Sequence, residues 1–191
     1  MINKKNKKVK LVVSDTERYG QGVFAGESIK TGRVIHVLCG DRMDVMELVR
    51  RVNANKERIN DPFQIGKRTY LDLDRVSNSF NHSCDPNTGI RKNSEMFALK
   101  DIEEGQQLTY DYSSIISPTE WKMKCKCGSN NCRKILGDIL SLPKKQLNYY
   151  KKVGALQRYM RSLLREIESG RYKIPKYELL ALETLKQTSE D

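Results

Sequence analysis

The chain has 191 residues, 38% of them hydrophobic, which is enough for one core with or without a small helical appendage. It holds no apolar run near the roughly 18 residues of a membrane span, and Met1 to Lys10 is polar and Lys-rich without the apolar centre of a secretory signal, so a membrane protein is excluded and an intracellular one expected. The formal net charge of +11 leaves nucleic acid, an anionic surface or an acidic protein open as partners, although the basic residues at Lys4, Lys5, Lys7, Lys8 and Lys10 and around Lys122, Lys124, Lys126, Arg133 and Lys134 read first as solvated surface.

Short β-type runs between turn residues are predicted over 8–13, 22–25 and 34–38. Next, Val45, Leu48, Val49 and Val52 fall at helical spacing opposite Arg50, Arg51, Lys56 and Arg58, which predicts an amphipathic helix over 44–58 capped by Asp44. Further strands are expected over 69–73, 95–99 and 107–110. An internal echo runs through this part: Phe24-Ala25-x3-Ile29-x2-Gly32 recurs as Phe97-Ala98-x3-Ile102-x2-Gly105. Each copy reads as a strand, a turn and a strand, with the isoleucine pinning the turn to the core and the glycine supplying positive φ. Two copies make hairpin-like units and are too few for a solenoid. Beyond Leu142 the texture changes, as Leu156, Tyr159, Met160, Leu163, Leu164 and Ile167 recur on one helical face that ends at Gly170. A last helix is predicted from near Pro175, burying Leu179, Leu182 and Leu185. The default role of these helices is to cap the core.

Three stretches carry chemistry: Asn81-His82-Ser83-Cys84-Asp85-Pro86-Asn87, Leu108-Thr109-Tyr110-Asp111-Tyr112, and Cys125-x-Cys127-x4-Cys132. Five cysteines, three of them within eight positions, read as metal ligands in a reducing compartment better than as a disulfide framework. The redox spacing C-x-x-C is absent from that cluster, whose three thiolates are one short of a closed tetrahedral zinc site. Cys39, between Leu38 and Gly40, is expected to be a buried small hydrophobe. The pair Gly20 and Gly22 around Gln21 permits close backbone approach by a ligand, though such a pair alone is more often an ordinary turn. A lone His82 invites assignment as a general base or a metal ligand, and both rank low here.

In order and spacing, these stretches resemble those of the SET-domain protein lysine methyltransferases that carry a cysteine-rich post-SET zinc segment. The resemblance covers about 10–136, with Arg75 to Phe80 leading into the central motif as expected. It implies a mainly β fold with flanking helices: a β-clip-like SET domain of several small sheets with a pseudoknot, where the C-terminal motif passes beneath the loop preceding it, plus C-terminal helices on the outside. The implied organisation is a basic tail over 1–8, a SET domain over 9–115, a post-SET zinc-binding segment over 116–137 and a helical extension over 138–191. The implied activity is methyl transfer from S-adenosyl-L-methionine to a lysine amine of a histone or other basic protein.

Residue by residue, the resemblance places Gly20, Gln21 and Gly22 at the cofactor, Asn81 near its amino-acid end, His82 near its adenine, Ile135 and Leu136 as an apolar wall, and Tyr112 against both cofactor and amine. Cys84 is the natural fourth zinc ligand beside Cys125, Cys127 and Cys132. The chemistry is an in-line displacement that asks the protein for a neutral lysine nitrogen, alignment and dry walls. A lysine pKa of about 10.4 falls by as much as 3–5 units in an apolar channel beside a fixed positive charge. Tyr112 would orient the amine or the methyl group. Tyr110 stands where relatives carry Phe or Tyr, and its hydroxyl favours mono- or dimethylation over trimethylation. Asp111, on a strand, points away from both tyrosines and is structural.

Departures from the family pattern are expected to matter. Val37-Leu38-Cys39-Gly40-Asp41 lacks the aromatic that often lines the lysine channel, and the segment 41–75 is short and carries no decodable signal. Partners are therefore a protein presenting a lysine, histone-like, ribosomal or other, with nucleic-acid contact through the basic surface, no membrane, and an open oligomeric state. Localisation is expected to be cytoplasmic or at the nucleus and chromatin, with secretion into a host cell left open. The alternatives are a SET-like, zinc-stapled module that binds chromatin or nucleic acid without turnover, and, last, a zinc-ribbon nucleic-acid binder.

Overall fold

The computed structural model describes residues 8–18, 20–54, 62–118 and 121–173. Two strands open the chain, β1 (Leu11–Thr16) and β2 (Gly20–Ala25), antiparallel with Leu11 opposite Ala25 and Thr16 opposite Gly20. A three-stranded sheet then takes β3 (Val34–Val37), β9 (Glu95–Ala98) and β8 (Thr88–Arg91) in that order, with β9 central. A second sheet orders β4 (Gly40–Asp44), β6 (Thr69–Leu73) and β5 (Phe63–Gly66). Two short pairs complete the set: β7 (Asn81–His82) beside β10 (Thr109–Tyr110), and β11 (Met123–Lys124) beside β12 (Ile135–Leu136). The mainly β expectation thus holds, with strands β4, β5 and β8 and the two-residue strands β7, β11 and β12 added to it. β4 hid because only Met43 of its five residues is buried, so no apolar alternation marks it.

The echo forms a different object from the one its sequence suggests. Neither β2 with β3 nor β9 with β10 pairs as a hairpin; the two copies pair with each other about a local two-fold. Ile29 and Ile102 exchange both backbone hydrogen bonds at 2.8 Å. On one side Gly105 N donates to Ala25 O and Ala25 N to Gln106 O; on the other Gly32 N donates to Ala98 O and Ala98 N to Arg33 O. The glycines do meet their predicted demand, with φ of +81° at Gly32 and +83° at Gly105. Both isoleucines are buried, joined by Val23, Leu38, Phe80, Ile90, Met96 and Leu108 in the main core.

Helix α1 (Val45–Asn53) starts as expected, with Asp44 Oδ1 accepting from Glu47 N at 2.9 Å. Its predicted continuation to 58 lies partly outside the described residues, as do the basic tail before Lys8 and the helix predicted from Pro175. A short helix α2 (Arg75–Asn78), capped by Asp74, runs directly into the central motif. After the domain come α3 (Lys144–Val153) and α4 (Arg158–Glu168). α4 matches the predicted apolar stripe, while α3 was not anticipated: its ten residues carry four lysines and only a single fully buried side chain, Tyr150. Gly154, at φ +73°, separates the two helices. Their apolar faces, with Ile139 and Leu142 ahead of α3 and Leu156 between the helices, form a second core that includes Tyr150, Met160, Leu163 and Leu164 and packs on Phe97. Gly89 lets this cap approach the sheet, since a Cβ there would lie 2.7 Å from Ala155 Cβ.

Candidate active site

The central motif and the tyrosine motif meet as parallel strands. Asn81 pairs with Thr109 and His82 with Tyr110, and Ser83 N donates to Tyr110 O at 3.1 Å. Parallel pairing requires a long connection between partners, here the β8–β9 sheet and the second echo copy. The same pairing brings in the glycine turn, because Asn81 Nδ2 donates to Gln21 O at 2.8 Å. A Cβ on Gly22 would collide with the Gln107 amide and the Thr16 methyl and lie 3.1 Å from Asn81 Nδ2, so a side chain here would push aside the groups that line the turn. Gly20, in contrast, has open space around it and serves through its φ of +68°. Gln107 Nε2 is buried with no hydrogen-bond partner among the described residues. An orphaned donor beside a bare glycine and an anchored asparagine fits a polar ligand of the S-adenosylmethionine type.

Next to this cradle stand the two tyrosines, ring centroids 4.9 Å apart. Tyr110 is buried, and burial first, then Tyr112, pushes its phenol well above the ordinary range, so it stays protonated. The Tyr112 hydroxyl donates to Phe80 O at 3.0 Å. Phe63 meets Tyr110 edge-on at 6.4 Å, and Leu38 is buried in the same core. Phe63 belongs to the stretch that carried no decodable signal. Phe63 and Ile65 at period two before Gly66 was the available cue, too short to stand out from a loop.

His82 connects the tyrosines to the cysteines. Its ring lies edge-on to Tyr112 at 5.3 Å, and burial lowers its pKa to about 4, against the pull of Asp111, so the ring is neutral at pH 7. Tyr112 N donates to Nδ1 at 3.2 Å, which leaves the ring proton on Nε2, 3.3 Å from Cys84 Sγ. With its lone pair so used, His82 acts as a donor to a sulfur.

One ligand atom each from His82, Cys84, Cys125 and Cys127 lies within 4.8 Å of the others. Cys132 falls outside that group but on the same loop, its Sγ 3.9 Å from Cys125 O. Burial raises the Cys84 thiol to about 11 and pushes Cys125 further up. At Cys127 burial also pushes upward, but the Ser129 hydroxyl and backbone donors outweigh it and leave the thiol at about 6. Converging sulfurs on a loop of zinc-ligand spacing have the chemistry of a structural zinc site.

Four expectations are corrected by the structure. Arg133, read as solvated surface, is largely buried and holds Asp111 with two hydrogen bonds of 2.6 and 2.7 Å. Asp111 is structural as expected, but it sits just past β10, where its side chain also accepts from Ser113 N and from the Tyr150 hydroxyl at 3.0 Å. The C-terminal helices therefore brace the site: Tyr150 through Asp111, Tyr159 through a 2.9 Å bond to Ile115 O, and Gln157 Nε2 through bonds to Gln64 O and Asn93 O. Cys39, expected to be buried, is exposed, because Leu38 takes the core position and its neighbour points the other way. On β12, Leu136 is fully buried while Ile135 is exposed, so the two residues of the expected adenine wall face opposite sides.

Comparison with known proteins follows the same residues. Residues 20–113 match the family model described as SET domain. The chain is 32% identical over 151 residues to histone-lysine N-methyltransferase ASHH3 of Arabidopsis thaliana, covering 72% of this chain and 40% of that protein. It is 34% identical to histone-lysine N-methyltransferase ASHR3 of the same plant, covering 70% and 29%, and 29% identical to probable histone-lysine N-methyltransferase set-23 of Caenorhabditis briggsae, covering 68% and 61%. The chain thus spans less than two thirds of the length of each of these relatives. Among solved structures, the methyltransferase domain of human histone-lysine N-methyltransferase SETMAR superposes with a TM-score of 0.55 at 24% identity, over 69% of this chain and 59% of that one, a likeness of fold.

Proposed function

This chain belongs to the SET-domain family, and we propose that it is an S-adenosylmethionine-dependent protein-lysine N-methyltransferase acting on a histone or another basic protein. The observation that carries the reading is the parallel pairing of Asn81–His82 with Thr109–Tyr110, which brings the glycine turn and the tyrosine pair to one place.

When bound, S-adenosylmethionine supplies an electrophilic methyl on a sulfonium, whose positive charge favours the neutral form of a nearby lysine. The residues of the chain do the rest. Gly20, Gln21, Gly22 and Asn81 bind through the backbone and the anchored amide, with Gln107 Nε2 as a further donor. Tyr110, Phe63 and Leu38 exclude water from the amine, which keeps it neutral. Tyr112, its hydroxyl held by Phe80 O, orients the acceptor nitrogen for in-line attack. Tyr110 adds a hydroxyl to the wall and limits the product to mono- or dimethyllysine. Cys84, Cys125, Cys127 and Cys132 hold one zinc ion that ties the cysteine loop to the central motif, with His82 donating to Cys84.

We assign the SET domain to 9–115, the zinc-binding segment to 116–137 and a helical extension to 138–191 that braces the site. None of the described helices is long and apolar enough to cross a membrane, and the naming of the relatives favours a nuclear or chromatin setting. Purified protein incubated with labelled S-adenosylmethionine and separate histone and ribosomal-protein fractions tests the activity. Label on a lysine, located by mass spectrometry and strongly reduced with Tyr112→Phe, is the expected result. Cofactor binding with no label in any fraction or on the enzyme itself would leave the non-catalytic binding module instead.

A further inference from the structure

A second group of mixed donors lies away from the cysteine loop, where β3 gives way to β4 and α2 begins. His36, Cys39 and Asp74 place one ligand atom each within 4.8 Å of the other two. Their backbones are already tied together: Asp74 N donates to Cys39 O at 2.9 Å, and Cys39 N to Ser77 Oγ at 3.1 Å. Asp74 caps α2 with Oδ1, accepting from Ser77 N at 2.7 Å, which leaves Oδ2 to accept from the Cys39 thiol at 2.9 Å. Ser77 is buried, and its Oγ lies 3.0 Å from His36 Nε2, so one hydroxyl orients the imidazole and the thiol-bearing backbone together. The His36 ring rests on Phe80 at 5.7 Å.

We propose that His36, Cys39 and Asp74 form a second metal site, distinct from the cysteine cluster, for a borderline divalent cation of the zinc and cobalt class. One imidazole, one thiolate and one carboxylate are the donors such ions take, whereas magnesium and calcium prefer oxygen alone. Cys39 and Asp74 are exposed, so a cation reaches the site from solvent and a water completes its coordination. On binding, the thiol proton leaves to solvent, the hydrogen bond to Oδ2 is exchanged for a sulfur–metal bond, and the cation takes that carboxylate oxygen.

The test uses the full chain, first given a single equivalent of zinc, which the four-cysteine site takes, and desalted, then titrated with cobalt alone. Thiolate-to-cobalt charge-transfer absorption and proton release in weak buffer are followed together. The wild type is expected to take one equivalent with about one proton released per metal. Cys39→Ser should abolish that absorption and weaken binding at least tenfold. Asp74→Asn, which keeps the helix cap, should weaken binding while leaving the absorption at saturation. Cys127→Ser should retain the Cys39-dependent band. Superimposable isotherms for wild type and Cys39→Ser, or a band that disappears only with Cys127→Ser, would overturn the proposal. No methyl transfer is read, so this outcome is independent of the proposed enzymatic activity.

Discussion

The paired echo, 24–33 with 97–106, and the cysteine segment, 123–136, are both stretches of turn and short strand, yet they are held in opposite ways. Each echo copy gives the other reciprocal backbone hydrogen bonds, and Ile29 and Ile102 are buried between them. Backbone donors and acceptors are present in any sequence, so two glycines with positive φ and two isoleucines suffice to fix the geometry. The cysteine segment has one two-residue strand pair, and Cys125, Cys127 and Cys132 are only partly buried. Its ties are side chains: Cys84 toward Cys125 at 3.8 Å, and Arg133 to Asp111. The first region should therefore fold on its own hydrogen bonds, while the second, on the proposed zinc site, should depend on the cation and one ion pair.

The sharpest way to break this contrast is to remove the metal. On the proposed zinc site, chelation would forfeit a binding free energy on the order of 10–16 kcal/mol, and Cys127→Ser part of it. Hydrogen exchange should then show the cysteine segment losing protection, and calorimetry should show cofactor binding lost, while the echo amides of Ile29 and Ile102 stay protected. Equal loss in both regions would mean that the scaffold also leans on the ion. Arg133→Ala comes next. It leaves Asp111 buried without its charge partner, at a cost of about 3–5 kcal/mol in denaturant unfolding. Tyr150→Phe removes only one of the hydrogen bonds to Asp111 and should cost about 1 kcal/mol.

Tyr112→Phe separates chemistry from support. It should slow methyl transfer by about 10²-fold through misalignment, with cofactor affinity within a few-fold of wild type. Wild-type turnover in this variant would remove Tyr112 from the mechanism. On the scaffold side, a Cβ at Gly105 meets open space, so Gly105→Ala tests φ alone and should cost about 1–2 kcal/mol without changing zinc content. The smallest energetic effect is expected at Tyr110. Tyr110→Phe should leave stability nearly unchanged and shift the product, read by mass spectrometry, toward trimethyllysine.

Several features of the fold and the site were legible from local sequence. The glycines of the echo, the Asp44 cap, the apolar stripe of α4 and the cysteine spacing each state a demand that a few neighbouring residues must satisfy. Strands β4 and β5 were not legible, because a polar edge strand and a four-residue run leave too little periodicity. α3 escaped for a similar reason: its lysines hide a face whose buried anchor is a single tyrosine.

The sequence by itself determined which groups exist to do chemistry: the asparagine, histidine and cysteine of the central motif, two tyrosines one residue apart, and three thiols on one loop. Those identities and spacings are properties of consecutive residues, and φ, capping and ligand spacing follow from them. The tertiary structure alone decided who meets whom. It turned the echo into a mutual pair, set Phe63 against Tyr110, aimed His82 at Cys84 rather than at open solvent, and buried Arg133 on Asp111 with Tyr150 behind it. Each of these contacts except that of His82 with Cys84 joins residues more than 20 positions apart, and a buried charge or an orphaned amide finds its partner only when the chain between them has folded.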